Sequence, residues 1–391
     1  MLSAIHRARK SLGRSFLILC AVVLSACVPT GGTATGPATA AGGSVQVALL
    51  IPSGSGQSQD ELFGTNLENA ARLAMADLSG VSIDLRVYKT GGSPAQASAL
   101  AKRAVEEGAQ VILGPFYSEE ANAAGVAVAN SGVNVMAFSN NTAIAGGNVF
   151  VLGQTFDNTA RRLAGYAVRN GKSKVLIVHD RNVAGEVGKA AIERGVAAAG
   201  GSVVGISSYE FSQNGIVQAA TGIVGTARSS GATALFLTAD TAGALPLLSQ
   251  LLVDNGIDRA TTQFIGLTRW DIPPATLALP GVQGGWFALP DPGLQAQFQS
   301  RYTAAYGSNP SPVAGLAYDG IAAIGALARS SKGAPITREA LTQSAGFAGV
   351  SGIFRLLPNG TNERGLAVAQ IRNNAVVVVD AAPRSFAGAG F

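Results

Sequence analysis

Side chains able to do covalent or metal chemistry are scarce in this chain of 391 residues. It holds two cysteines, Cys20 and Cys27, and two histidines, His6 and His179. Near the N-terminus, Arg7, Arg9, Lys10 and Arg14 precede an uncharged apolar run from Phe16 to Ala26. A basic segment, a short apolar segment and small residues, in that order, form the grammar of an export signal. The run is too short to span a bilayer. Cleavage before Cys27 removes Cys20 and His6. It leaves His179 alone and a single cysteine, so no disulfide can form within the mature chain. A lone imidazole builds neither a histidine-rich metal centre nor a Cys–His nucleophile. Gly54-Ser55-Gly56 lacks the Gly-x-Ser-x-Gly spacing of a nucleophile elbow, and no Gly-x-x-x-x-Gly-Lys phosphate loop occurs. The expectation is a protein that is not an enzyme, with no catalytic residue, no metal and no cofactor.

What remains is neutral oxygen and amide chemistry, with a few carboxylates, in the loops. Ser118 directly precedes a helical pattern, so its hydroxyl and the free amides of the first turn could hold a carboxylate. Ser53 lies just after the first strand pattern, and Ser139, Asn140, Asn141 and Thr142 stand together after a later one. Asp240 or Asp271 could receive an ammonium group. The same residue types serve as helix caps and turn formers, and that reading stays open for each of them.

The elements that must position these loops alternate from the start. Val45 to Ile51 is a short apolar run closed by Pro52-Ser53-Gly54-Ser55-Gly56, a strand and a loop. Helical spacing follows over Asn66 to Leu78, and a strand over Ser82 to Tyr88. Ser93 before Pro94 is an N-cap signal for a helix to Glu107. Ala109 to Leu113 and Val133 to Phe138 are strands flanking a small-residue helix, Glu119 to Asn130. The pattern restarts with a helix over Asn158 to Asn170 that sets Arg161 and Arg162 on its outer side. Strands then fall at Lys174 to His179, Ser202 to Tyr209, Ala234 to Thr238 and Gln263 to Leu267, with helices between. Successive βα units imply parallel sheets joined by right-handed crossovers. Two helices, Pro292 to Tyr306 and Ala314 to Ala328, have no strand between them and should pack back on the first lobe. The predicted fold class is α/β, two doubly wound parallel-sheet lobes joined by three hinge crossings near residues 155, 288 and 347. The predicted division is 1–26 export signal, 27–44 flexible tether, 45–155 with 288–347 lobe 1, 156–287 with 348–380 lobe 2, and 381–391 tail. In open parallel sheets ligands sit beyond the carboxyl ends of the strands, which is where the loops above fall.

Charge excludes one class of partner. The chain has 28 Lys and Arg against 23 Asp and Glu. Four of the basic residues precede Cys27 and no acidic one does, so 24 basic face 23 acidic residues afterwards. That near-balance, without a basic cluster, excludes nucleic acid as a partner.

The motifs carry resemblances as well. Leu24-Ser25-Ala26-Cys27 resembles the bacterial lipobox, which implies lipidation of Cys27 and a membrane contact through that lipid. Val28, rather than Asp, follows it, which implies the periplasmic face of the outer membrane. Across about residues 45 to 380 the chain resembles the type I periplasmic binding proteins of the Leu/Ile/Val-binding kind. The segments that carry the likeness are VALLIPSGSG, VILGPFYSEEANAAGVAVANSGVNVMAFSNN, KVLIVHDRNVAGEVG, FQSRYTAAYG and GLAYDG. The stretch GVSGIFRLLPNGTNERGLAVAQIRNN, with GGWFALPDP before it, is similar to the penicillin-binding protein activators. That likeness implies a lipid-anchored regulator of peptidoglycan synthesis whose partner is a bifunctional peptidoglycan synthase. The alternative is a solute receptor of an ABC transporter that binds an amino acid or similar small polar ligand. Amino-acid receptors of this family often carry Tyr-Gly after the first strand of lobe 2; here Ala184-Gly185 stands in that place. Asp319, in the Ala317-Tyr318-Asp319 run, is expected to be a structural helix residue rather than a ligand contact.

Overall fold

The computed structural model describes residues 44–331 and 335–387. The predicted export signal, Cys27, the tether up to Gly43 and the last four residues of the tail lie outside the described residues. Among the described residues no helix is long and apolar enough to cross a membrane.

The first sheet is wholly parallel, in the order β2-β1-β3-β4-β5. Its strands are β1 (Val45–Ile51), β2 (Ile83–Lys89), β3 (Val111–Leu113), β4 (Asn134–Ala137) and β5 (Val149–Val151). Between them run α1 (Ser58–Asp77), α2 (Pro94–Glu106) and α3 (Ser118–Ala127). The apolar run of β1 is explained by burial on both faces. Val47, Leu49 and Ile51 point into one core with Leu67 and Ala71 of α1. Ala48 and Leu50 point into the other, with Ala101 and Ala104 of α2 and Ala121 and Ala124 of α3. Strand period two thus divides a single hydrophobic stretch between two cores.

The chain passes through α4 (Phe156–Arg169) to the second sheet. Its parallel part is β6 (Lys174–Asp180), β7 (Ser202–Tyr209), β8 (Ala234–Leu237), β9 (Gln263–Gly266) and β10 (Trp286–Leu289). The helices α5 (Val183–Ala198), α6 (Gln213–Ser230) and α7 (Leu245–Asp254) connect them. Leu176 and Val178 face the core of α6 and α7, whereas Val175 and Ile177 face that of α4 and α5. After β10 come α8 (Pro292–Tyr306) and α9 (Ala314–Ser331), and Phe298, Tyr302, Ile321 and Ile324 share the core of β1 and α1. A short helix α10 (Arg338–Leu341) leads to an antiparallel trio, β11 (Phe347–Gly349), β12 (Gly352–Leu356) and β13 (Asn362–Arg364). Finally β14 (Ala367–Arg372) and β15 (Ala375–Asp380) add antiparallel to the second sheet beside β10, giving the order β15-β14-β10-β9-β8-β6-β7.

Three differences from the sequence reading have physical causes. Phe347, Val350, Phe354 and Leu356 belong to the first core and Leu366 to the second. The chain therefore changes cores between 356 and 366 rather than near 347. The cause is that β11 and β12 bury their apolar side chains under α9 before the chain leaves. The rest of the division by residue number stands as a proposal. Arg162 is buried, not on the outer side of its helix. Its guanidinium donates to the carbonyls of Leu366 (2.6 Å) and Ala381 (3.0 Å) and pairs with Asp380 at 2.9 Å. Helix α1 begins eight residues before its predicted start. A polar first turn masks its period, and Glu61 within it accepts from the Gly54 amide at 2.6 Å.

Candidate functional site

The carboxyl ends of β3 and β4 supply most of the site. Strand β3 is followed by Gly114, whose φ is +93° and where a Cβ would stand 2.2 Å from the Leu50 carbonyl oxygen. Only glycine fits, because the conformation and the close approach both exclude a side chain. The turn it makes delivers Phe116, Tyr117 and Ser118 to the start of α3. Tyr117 is the N-cap residue, yet no side chain caps the helix there. The amides of that first turn thus lack the usual Ser, Thr or Asp side-chain partner at the N-cap. The Ser118 hydroxyl donates to Glu119 Oε2 at 3.0 Å. The Tyr117 hydroxyl donates to Asp60 Oδ1 at 2.5 Å, and this bond, with burial, pushes its pKa up to about 12. Phe116 packs edge-on to Tyr117, with ring centroids 5.1 Å apart.

After β4, the Ser139 hydroxyl accepts from the Asn141 amide at 3.1 Å, and Asn141 Oδ1 accepts from the Ala143 amide at 3.0 Å. Gly153, on the first crossing, lies so close to Ser139 that a Cβ would sit 2.7 Å from its carbonyl oxygen. The first crossing therefore packs directly onto this loop. Ser118, Ser139, Asn140 and Asn141 line one cavity of about 460 Å³, together with Tyr117 and Glu119. Gln154, Val313 and Leu316 belong both to it and to a neighbouring cavity of about 370 Å³. That second cavity brings in Arg269 from the loop after β9 and Arg364 from β13.

Four predicted residues are not in this group. Ser53 is buried against α1, where its Oγ fills the space a Cβ at Gly64 would need, and its carbonyl accepts from the Gly91 amide at 3.1 Å. It is a packing residue. Thr142 opens a 3₁₀ turn and lines a different cavity of about 490 Å³ beside Arg161 and Arg194. Asp271 is gripped by Arg269 through two hydrogen bonds, Nε to Oδ1 at 2.6 Å and Nη2 to Oδ2 at 2.5 Å. Both its oxygens are thereby used, and it is not an open receptor for an ammonium group. Asp240 lies exposed at the end of β8, where its carbonyl accepts from the Leu245 amide at 3.1 Å. Its carboxylate has no hydrogen-bond or ion-pair partner among the described residues. Of the two aspartates proposed for an ammonium group, Asp240 alone is open to one.

Sequence reading passed over Gln154, Arg269 and Arg364, which sit on no recognisable turn signal. It also left Asp319 without a partner. In the structure Asp319 is fully buried, and Arg364 Nη1 donates to its Oδ2 at 3.0 Å. Its Oδ1 accepts from the Val350 amide at 2.8 Å. Arg364 Nε donates to the Leu152 carbonyl at 2.8 Å, and Asn362 Nδ2 donates to the carbonyls of Val151 and Gly153, both at 2.8 Å. The first and third crossings are thus sewn together behind the cavities. Arg364 is committed to this seam, as Arg269 is to Asp271.

A sequence profile described as "Periplasmic binding protein" matches residues 44–375. No curated protein matches the chain. Among solved structures, a putative branched-chain amino acid ABC transporter protein from Rhodospirillum rubrum is similar at 20% identity and a TM-score of 0.73, covering 86% of this chain and 100% of that one. An ABC transporter substrate-binding protein from Desulfitobacterium hafniense, solved in complex with Leu, is similar at 16% identity and a TM-score of 0.61, covering 86% and 100%. A solute-binding protein from R. palustris in complex with benzoate is similar at 20% identity and a TM-score of 0.57, covering 89% and 99%. At these identities the likeness shows the fold.

Proposed function

The chain belongs to the periplasmic binding protein family, of type I, and on that premise we propose that it is a non-enzymatic solute receptor for a small acid, an amino acid foremost. The observation that carries the proposal is the cavity beyond β3 and β4, where Ser118, Ser139, Asn140 and Asn141 converge at the uncapped start of α3. In this reading the Ser118 hydroxyl, turned away from Glu119, and the first amides of α3 take the ligand carboxylate, and Asp240 takes the ammonium group. Leucine and benzoate, bound by two of the similar proteins, both carry the carboxylate that such a site would recognise. Sequence features around Cys27 support a lipid-anchored location on the periplasmic face of the outer membrane.

The regulator reading draws its support from Cys27 and from the stretch 349–374. Within that stretch Phe354, Leu356, Asn362 and Arg364 are buried, whereas Pro358, Asn359, Arg372, Asn373 and Asn374 are exposed. The buried ones serve the fold and offer a partner no surface, and the similar solved structures are transporter proteins. Peptidoglycan synthase as a partner therefore ranks second. Calorimetric titration with L-leucine, other amino acids and benzoate tests the receptor reading. A saturable response, weakened in Ser118→Ala, supports it. No response to any of them, with a rise in glycan polymerisation when the protein is added to a bifunctional synthase, favours the regulator.

A further inference from the structure

Among the described residues, Glu120 is the one buried acid with both carboxyl oxygens lacking a hydrogen-bond partner. It stands two residues after Ser118 in the first turn of α3 and is wholly inaccessible to solvent. Neither of its carboxyl oxygens has a hydrogen-bond partner. The Thr90 hydroxyl faces it, but that hydroxyl donates its proton to the Ile51 carbonyl at 3.0 Å. The Thr90 hydroxyl and the Tyr117 backbone amide favour the ionised form of the carboxyl, and no cation is among the groups acting on it. The charged groups acting on Glu120 are both acids, Asp60 from α1 and Glu119 from its own helix. Asp60 has a donor of its own in the Tyr117 hydroxyl. Burial pushes the Glu120 carboxyl above the ordinary glutamate value, and the Thr90 and Tyr117 groups oppose this to a lesser degree.

From this geometry we propose that Glu120 sits in the protein as a neutral carboxylic acid, and that the anionic group of a ligand at Ser118 binds to that protonated form. The inference rests on the receptor reading and deepens it. An ionised Glu120 would occupy the positive end of α3 and repel a second anion placed there. A neutral Glu120 leaves that end open to the ligand. Ligand and proton then bind cooperatively, each raising the affinity for the other by the same factor.

The experiment is calorimetric titration of the full chain with L-leucine and with benzoate between about pH 5 and about pH 8, for wild type and Glu120→Gln. Above the Glu120 pKa, wild-type affinity should fall by up to about tenfold per pH unit, with net proton uptake on binding seen in buffers of different ionisation enthalpy. Glu120→Gln, neutral and of the same shape, should bind with little pH dependence and no such uptake. Wild-type binding that is intact yet flat with pH and without proton uptake overturns the proposal and leaves the receptor reading standing. Failure of both acids to bind wild type at any pH overturns the receptor reading instead. A ligand-free arm does not depend on that reading. In urea unfolding, wild type should lose stability relative to Glu120→Gln as pH rises over the same range, and parallel curves overturn the neutral acid.

Discussion

At the scale of single residues, the site is decided by which polar groups are already engaged. Asp240 and Asp271 look alike in sequence, each an aspartate following a strand of the second sheet. Arg269 holds both oxygens of Asp271, whereas the carboxylate of Asp240 faces solvent. Asp240→Asn is therefore expected to weaken amino-acid binding about tenfold or more, because a charge-assisted bond contributes roughly 1.5–3 kcal/mol. Benzoate binding should be unaffected, having no ammonium group to lose. Asp271→Asn should act on both ligands alike, through the freed Arg269. Calorimetry of the two variants with both ligands checks this. Proton linkage at Glu120 gives a stability prediction with a definite sign. A glutamate whose folded pKa is raised binds more protons in the native than in the unfolded state between the two pKa values. Stability then falls as pH rises through that window. Substituting Gln removes that loss.

At the scale of elements, short backbone devices aim the loops. Gly114 turns the end of β3 toward α3, and Gly114→Ala would force both a positive φ and a clash with the Leu50 carbonyl. The expected cost is about 1–3 kcal/mol of unfolding free energy, and urea unfolding measures it. The first crossing enters α4 through a capping box, in which Thr155 Oγ1 accepts from the Asn158 amide at 3.2 Å and Asn158 Oδ1 accepts from the Thr155 amide at 3.0 Å. Thr155→Ala should cost about 1 kcal/mol in the same assay. Elements with a strong internal signal were legible: β1 and β6 by continuous apolar runs, α2 by Ser93-Pro94. Strand β5 and the early start of α1 were not. A three-residue strand carries too little period to register, and a polar first turn hides a helix whose apolar face begins later.

At the scale of the molecule, two large sheets and a three-stranded one, with four cores among the described residues, are joined by crossings that share one buried ion pair. Asp319 of α9 and Arg364 of β13 bind the amide of Val350 and the carbonyl of Leu152 respectively, so α9 and the first and third crossings meet at one point. Asp319→Ala leaves the Arg364 charge buried without its partner, and a loss of about 3–5 kcal/mol is expected. Replacing the pair together, Asp319→Leu with Arg364→Met, should cost much less. Denaturant unfolding of the single and double variants distinguishes the two outcomes. The seam stands directly behind the cavities that Gln154 and Arg364 line, so a loosened seam should also weaken ligand binding.

Composition, the order of strands and helices, and the quoted motifs were enough to determine the fold, since apolar period and turn chemistry are local properties written along the chain. They also placed Ser118, Ser139, Asn140 and Asn141 at strand ends, where topology brings such loops together. Only the tertiary structure decided which side chains remain open to a ligand. That Ser53 is packed, Asp271 is held by Arg269, Arg162 is buried and Glu120 lacks a donor all depend on neighbours distant in sequence. A polar residue's availability is fixed by what else reaches it in space, and no local pattern records that.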